Sequence, residues 1–153
     1  MKILAIDPGF ERLGIAVLEG NEVLFSTCFK TSSRLPFPER LFLIGKKIEE
    51  IIKEYKPEVL AIESLFLATN QKTVMRVAET RGAIIYLAQK FDLKIREFTP
   101  LQVKIAVTGF GRAGKTEVAK MLKKLLKIRP EIKSDDELDA LAIGLTAQGS
   151  RLI

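Results

Sequence analysis

The sequence predicts an α/β layer architecture: a mixed sheet of five strands, three antiparallel ones first and parallel ones after, flanked by helices. Three observations carry this. Apolar, β-branched segments and helical segments follow one another as β-β-β-α-β-α-β-α, and the last third reads as helix throughout. The central segment VLAIES is continuously apolar rather than alternating, as expected of a strand covered by helices on both faces. No internal repeat, low-complexity tract or linker divides the 153 residues, so residues 1–153 are expected to form one domain.

The elements follow in order. KILAID, LGIAVLEG and EVLFSTCFKT are short and rich in β-branched residues, punctuated by Gly9, Gly14, Gly20 and Asn21. The connection at Gly20-Asn21 is short enough for a hairpin. A helix is predicted from about Pro38 to Tyr55, where Leu41, Ile44, Ile48, Ile51 and Ile52 recur at helical spacing and Pro57 ends the run. VLAIES follows as a strand, then a helix over Lys72–Gln89 and a strand at LKIREF. Helices are predicted over Leu101–Val107, Thr116–Lys127 and Asp135–Thr146. Ser134, with Glu137 three residues later, has the pattern of a capping box for the last of them.

Composition narrows the chemistry. A chain of this length buries roughly 68–70% of its unfolded surface and needs no staple to fold. Its single cysteine, Cys28, forms no internal bridge. Neither a leader-like start nor a membrane-length apolar run is present, so a cytoplasmic protein without a membrane partner is expected. The 25 basic residues outnumber the 19 acidic ones, giving a net charge of +6, which is compatible with a polyanionic partner. There is no histidine. Hydrolytic chemistry would therefore run on carboxylates, lysine, hydroxyls or a metal held by oxygen.

Acidic residues stand where an apolar element ends. Asp7 closes ILAI and Glu63 closes VLAI, and a carboxylate buried there calls for a cation, a donor or a metal. Asp-Pro-Gly is also a good turn, so Asp7 has a local explanation as well. Glutamate is a poor turn former, and Glu63 has none. Asp136 and Asp139 share a helix face. A first-turn acid favours the helix dipole, which accounts for Asp135 and Asp136 but not for Asp139 against ALAIGL. Four such oxygen donors suit Mg²⁺ or Mn²⁺ rather than zinc. Two ions a few ångströms apart would serve in-line displacement at a phosphodiester, so a basic chain carrying the cluster points to a nuclease.

A second motif competes. KIAVTGFGRAGKT contains Gly109-x-x-x-x-Gly114-Lys115-Thr116, the literal pattern of a nucleotide-binding P-loop. Too little chain follows it to supply the rest of a parallel sheet. The better reading is a flexible glycine loop leading into a basic helix, with Arg112, Lys115, Lys120 and Lys124 along a phosphate backbone. Lys123 and Lys127 read as a solvated face, and Lys115, at the loop–helix junction, is the first candidate contact. Phe66, in LFLATN, is either core or, if exposed, a stacking surface for unpaired bases. The helix at Lys72–Gln89 carries Val74, Val77, Ala78 and Tyr86, which suit a core or a dimer interface equally.

In order and over nearly the whole length, IDPGFERLGIAV, AIESLF, N-x-x-T with TRG after it, LQVK, VTGFGRAGK and the final D-x-x-DALA resemble the RuvC Holliday-junction resolvases, a branch of the ribonuclease-H-like superfamily. The resemblance implies a ribonuclease-H-like fold. It implies that Asp7, Glu63, Asp136 and Asp139 are catalytic acids holding two Mg²⁺ per site, or Mn²⁺ in their place, with Asp7 bridging both. Lys104 and Lys115 are expected near the scissile phosphate and Phe66 on bases at the branch point, with Asn70, Arg76 and Arg112 as further DNA contacts. It also implies a homodimer that nicks four-way junctions in symmetric pairs during recombination and repair, leaving 5′-phosphates, with a branch-migration helicase complex as a partner. Departures are Thr69, where lysine is frequent in the family, and Ala78, where glycine is frequent. The doubled Asp135–Asp136 leaves two candidates, of which the spacing to Asp139 favours Asp136. Two rivals keep the fold: a YqgF-type nuclease acting on RNA, and a noncatalytic junction-binding module, against which the intact carboxylates count.

Overall fold

A computed structural model describes residues 1–64, 71–132 and 134–150. Among the described residues, β1 (Lys2–Asp7), β2 (Arg12–Glu19), β3 (Glu22–Lys30), β4 (Val59–Glu63) and β5 (Lys94–Phe98) form one sheet in the order β3-β2-β1-β4-β5. β1 pairs antiparallel with β2, and β2 with β3; β4 runs parallel to both β1 and β5. The mixed sheet with its antiparallel part first is the predicted one. Gly20 and Asn21 make the hairpin, and Gly20 takes a φ of 60° that glycine adopts without steric cost.

The helices are α1 (Phe37–Tyr55), α2 (Gln71–Lys90), α3 (Pro100–Thr108), α4 (Lys115–Leu125) and α5 (Asp135–Gly149). They cover the two faces of the sheet unequally. Leu4, Ile6, Leu60 and Ile62 pack with Ile44, Ile48 and Ile84 of α1 and α2. Their neighbours in sequence, Ile3, Ala5, Val59 and Ala61, point the other way, into a core with α3, α4 and α5. Double coverage accounts for the continuous apolar run of β4. Pro57 follows a left-handed C-cap at Lys56, so α1 stops where the proline indicates. No helix among the described residues is long and apolar enough to cross a membrane.

The helix ends depart from expectation in two places. Ser134 is the N-cap of α5, but its side chain makes no capping hydrogen bond, so the expected box with Glu137 does not form. Asp135, Asp136 and Glu137 put negative charge on the helix amino end and supply the dipole match instead. The reciprocal box is at α3, between Thr99 and Gln102. The glycine segment also differs from a flexible loop. KIAV lies in α3, not in a strand, so Gly109–Lys115 joins two helices and lacks the strand that a P-loop follows. Thr108 and Glu117 pin its ends: the Phe110 N–H donates to Thr108 Oγ1 (3.1 Å), and the Gly114 N–H donates to Glu117 Oε2 (3.1 Å).

Candidate active site

Alternation along the strands sends both strand-borne carboxylates to the same side. Asp7 continues the series Ile3, Ala5, and Glu63 continues Val59, Ala61, so both leave the sheet on the face covered by α5. Ile6 pairs with Ile62 in the parallel ladder, which sets the two acids side by side at the carboxyl edge of adjacent strands. That edge is where open α/β sheets gather ligands.

The other pair arrives on α5. Its buried face includes Ala140, Ile143 and Ala147, and Asp136 and Asp139 precede that face at helical spacing. Two glycines permit the approach. A Cβ on Gly144 would overlap the side chain of Leu18 and lie 3.1 Å from Ala5 Cβ, so the helix lies close on β1 and β2. A Cβ on Gly14 would overlap the carbonyl oxygen of Asp136 and lie 3.2 Å from Asp7 Cβ. Gly14 is thus the point where the helix-borne acids meet the strand-borne ones. At the far end of α5, Arg96 of β5 donates to the carbonyls of Ala147 (3.0 Å) and Ser150 (2.9 Å), matching the negative end of the dipole.

The four charges act on one another. Burial, then the negative charges of Asp139, Glu63 and Asp136, push Asp7 up to about 8 from its ordinary 3.8, with Lys115 opposing. Glu63 is raised by burial and then by Asp139, against the pull of Arg81. Asp139 is raised chiefly by burial and held back by Lys115. Asp135 is exposed and sits 3.9 Å from Lys115 Nζ, whereas Asp136 is partly buried and acts on Asp7. A cleft of about 430 Å³ opens alongside, with Glu63, Asp139, Lys104 and Lys115 in its wall; Asp7 and Asp136 are not part of that wall.

The remaining expected residues are placed as follows. Lys104 is exposed on α3, Lys115 opens α4, and Arg112 is exposed in the turn between them. The Arg76 guanidinium lies 4.1 Å from the Phe37 ring centroid and 3.5 Å from Glu79, so it is engaged within the protein. Phe66 and Asn70 lie outside the described residues.

Sequence reasoning missed the contacts of three residues. Arg81, only 11% exposed, donates from Nε to the backbone carbonyl of Glu63 (3.0 Å) and pairs with Glu97. It ties α2 to the ends of β4 and β5; the TRG segment was its only signal. Arg12 pairs with Asp136 (3.6 Å), and Cys28 Sγ lies 3.8 Å from the same carboxylate oxygen. Nothing in one-dimensional spacing links these residues, because they meet only when β2 and β3 pass beneath α5.

The donor chemistry fits a hard divalent cation: four carboxylates and one nearby ammonium leave an excess of negative charge in partly desolvated surroundings. As arranged, no three acidic side chains among the described residues converge on a single point. Asp136 is the one visibly engaged elsewhere, with Arg12.

Comparison with known proteins places this geometry in context. A family model described as crossover junction endodeoxyribonuclease RuvC matches residues 3–147. Proteins of that name from Alkaliphilus metalliredigens and Thermosipho melanesiensis are each 44% identical. The first match spans 149 residues, 95% of this chain and 91% of the other; the second spans 147 residues and 94% of both. Among solved structures, T. thermophilus RuvC in complex with Holliday junction substrate superposes with a TM-score of 0.89 at 32% identity, covering 95% of this chain and 92% of that one. The yeast mitochondrial Holliday junction resolvase Ydc2 shares the fold, with a TM-score of 0.72 at 15% identity over 95% of this chain and 77% of its own.

Proposed function

Because the chain belongs to the RuvC family of crossover junction endodeoxyribonucleases, we propose that it is a cytoplasmic, metal-dependent endonuclease that nicks four-way DNA junctions in symmetric pairs. The observation that carries this reading is that four carboxylates from β1, β4 and α5 lie near enough to act on one another, with Asp7 pushed up to about 8 by burial and by the other three. Asp7, Glu63, Asp136 and Asp139 would hold two divalent ions, and their all-oxygen donor set favours Mg²⁺, with Mn²⁺ as an alternative. The chemistry such ions supply when bound is activation of water and neutralisation of charge at an in-line phosphodiester displacement.

The chain's own residues do the rest. The sheet fixes Asp7 and Glu63, and Arg81 holds the Glu63 backbone in place. Lys115, at the amino end of α4, shares the cleft wall with Lys104, so a DNA strand entering the cleft meets two cations beside the acids. The phosphates of that strand are attracted both by the lysines and by the amino end of α4. Phe66 would stack on bases at the branch point, and Asn70, Arg76 and Arg112 would contact the strands. A homodimer through the exposed face of α2, where Met75 and Tyr86 stand open, would supply two such sites for paired cuts; a branch-migration helicase complex would be a further partner.

A cleavage panel tests this. The protein is incubated with a synthetic four-way junction, linear duplex and an RNA–DNA hybrid, with and without Mg²⁺ or Mn²⁺. Paired nicks confined to the junction, lost on chelation and in Asp7→Asn while binding persists, are expected. Cutting of the RNA strand, or cutting that survives chelation, would overturn the reading.

A further inference from the structure

We propose that Phe110, on the turn between α3 and α4, is a second stacking site for an unpaired base of the DNA strand lying along the cleft; this rests on the junction-nuclease reading above. The turn is built rather than loose. Gly109 closes α3 in a left-handed conformation, its N–H donating to Ile105 O (2.8 Å). The Phe110 N–H donates to Thr108 Oγ1 (3.1 Å), and the Phe110 carbonyl accepts from the Ala113 N–H (3.1 Å). Gly111 lies against α3 so closely that a Cβ there would come within 2.8 Å of Leu101. The Phe110 backbone is therefore held from both sides while its ring stays 57% exposed.

Its surroundings select the ligand. Leu101 and Ile105, also open to solvent, pack against Gly111, the residue after Phe110, and Lys104 lies between them on the same helix. From Pro100 to Thr116 the chain carries Lys104, Arg112 and Lys115 and no acidic residue. Lys104 and Lys115 stand on the wall of the cleft that contains Glu63 and Asp139, and Phe110 lies on the turn that joins their two helices. An apolar ring set among spaced cations matches a polymer whose flat bases alternate with phosphates. A fully paired duplex keeps its bases stacked internally and offers the ring nothing to cover.

The test uses the full chain with Asp7→Asn, which binds without cutting, and a four-way junction carrying 2-aminopurine at unpaired positions near the crossover. Phe110→Ala is expected to weaken junction binding roughly 5- to 100-fold, the range of one base–aromatic stack, and to relieve quenching of the probe. Phe110→Trp should retain both, and Phe110→Leu should lose the quenching. Duplex affinity and the melting temperature should stay unchanged in all three. If the parent binds the junction but Phe110→Ala leaves affinity and quenching intact, the stacking site is wrong and the ring serves another partner, such as a protein. Equal weakening on junction and duplex would also overturn it. Failure of the parent chain to bind the junction at all would instead sink the nuclease reading on which the site depends.

Discussion

Two of the clustered carboxylates stand on strands and two on a helix, and the two pairs are held by different physics. Asp7 and Glu63 end strands that are hydrogen-bonded on both sides, β1 between β2 and β4, and β4 between β1 and β5. Their positions are fixed by the ladder, and among the described residues neither side chain forms an ion pair; Lys115 and Arg81 offset burial only in part, and both acids are raised. Asp136 and Asp139 depend on how closely one helix end approaches the sheet across Gly14, and they have cations at hand in Arg12 and Lys115. The sheet thus supplies rigidity together with electrostatic strain, and the helix supplies charge that is better matched but easier to displace. Substitutions in the first pair should change charge without moving the fold; substitutions at the helix contact should move the site without changing its charge.

The largest effect is expected at Asp7. Asp7→Asn should lower metal-dependent cleavage by at least about a thousandfold, at or beyond the upper end of what loss of a single charge-stabilising donor costs. Stability should move the other way. Because the folded state raises this carboxyl from 3.8 to about 8, folded chains hold the proton that unfolded chains release, so the contribution to stability is fully present below pH 3.8 and is lost as pH rises through about 8. Glu63 and Asp139, also raised, add to the same slope. Metal-free melting curves from pH 4 to 9 should show the fall in the parent and a shallower one in Asp7→Asn, with the variant more stable at pH 8 by several degrees. A variant less stable than the parent at pH 8 would mean that the strand pair is already compensated.

Gly14→Ala probes the other pair. The added methyl would overlap the Asp136 carbonyl, so α5 must shift or the strand must bend, at a cost of about 1–3 kcal/mol. Cleavage should fall together with melting temperature, unlike Asp7→Asn, in which the two separate. Arg81→Ala should be milder in activity, about 10- to 100-fold, the usual range for a group that orients a ligand rather than serving as one. Its signature should be weaker Mn²⁺ binding by calorimetry. Arg81→Lys should recover only part of it, since one ammonium cannot reproduce the two-sided hold on Glu63 and Glu97.

The same contrast shows how much the sequence made legible. Element order, the antiparallel-first sheet and the strand-end position of Asp7 and Glu63 follow from local pattern, because an apolar run that ends in a carboxylate is visible in one dimension. That both acids share one face follows from parity only once the parallel register of β1 and β4 is known. The helix pair was legible as a spacing, Asp136 to Asp139, but the approach that makes it part of the site depends on Gly14, 122 positions away in the chain. The contacts of Arg12, Cys28 and Arg81 were invisible for the same reason: each joins segments that only the sheet order brings together. Ser134 was misread because a capping pattern does not reveal whether the hydroxyl is used when three acids already meet the helix dipole.

The smallest expected effect is the most discriminating. Arg12 is 65% exposed on its side chain and reaches Asp136 at 3.6 Å, a geometry in which an ion pair contributes under about 1 kcal/mol. Arg12→Ala should therefore leave melting almost unchanged. Yet the guanidinium occupies the carboxylate that a divalent ion would need, and it adds positive charge beside the site. Its removal should tighten Mn²⁺ binding by about two- to fivefold, the affinity equivalent of such a pair. The gain should shrink between low and physiological salt as the exposed charge is screened. Titrations at two ionic strengths decide it. If affinity is unchanged at both, Arg12 does not compensate Asp136, and Lys115, which opposes the rise of both Asp7 and Asp139, is the counter-charge that the two pairs share.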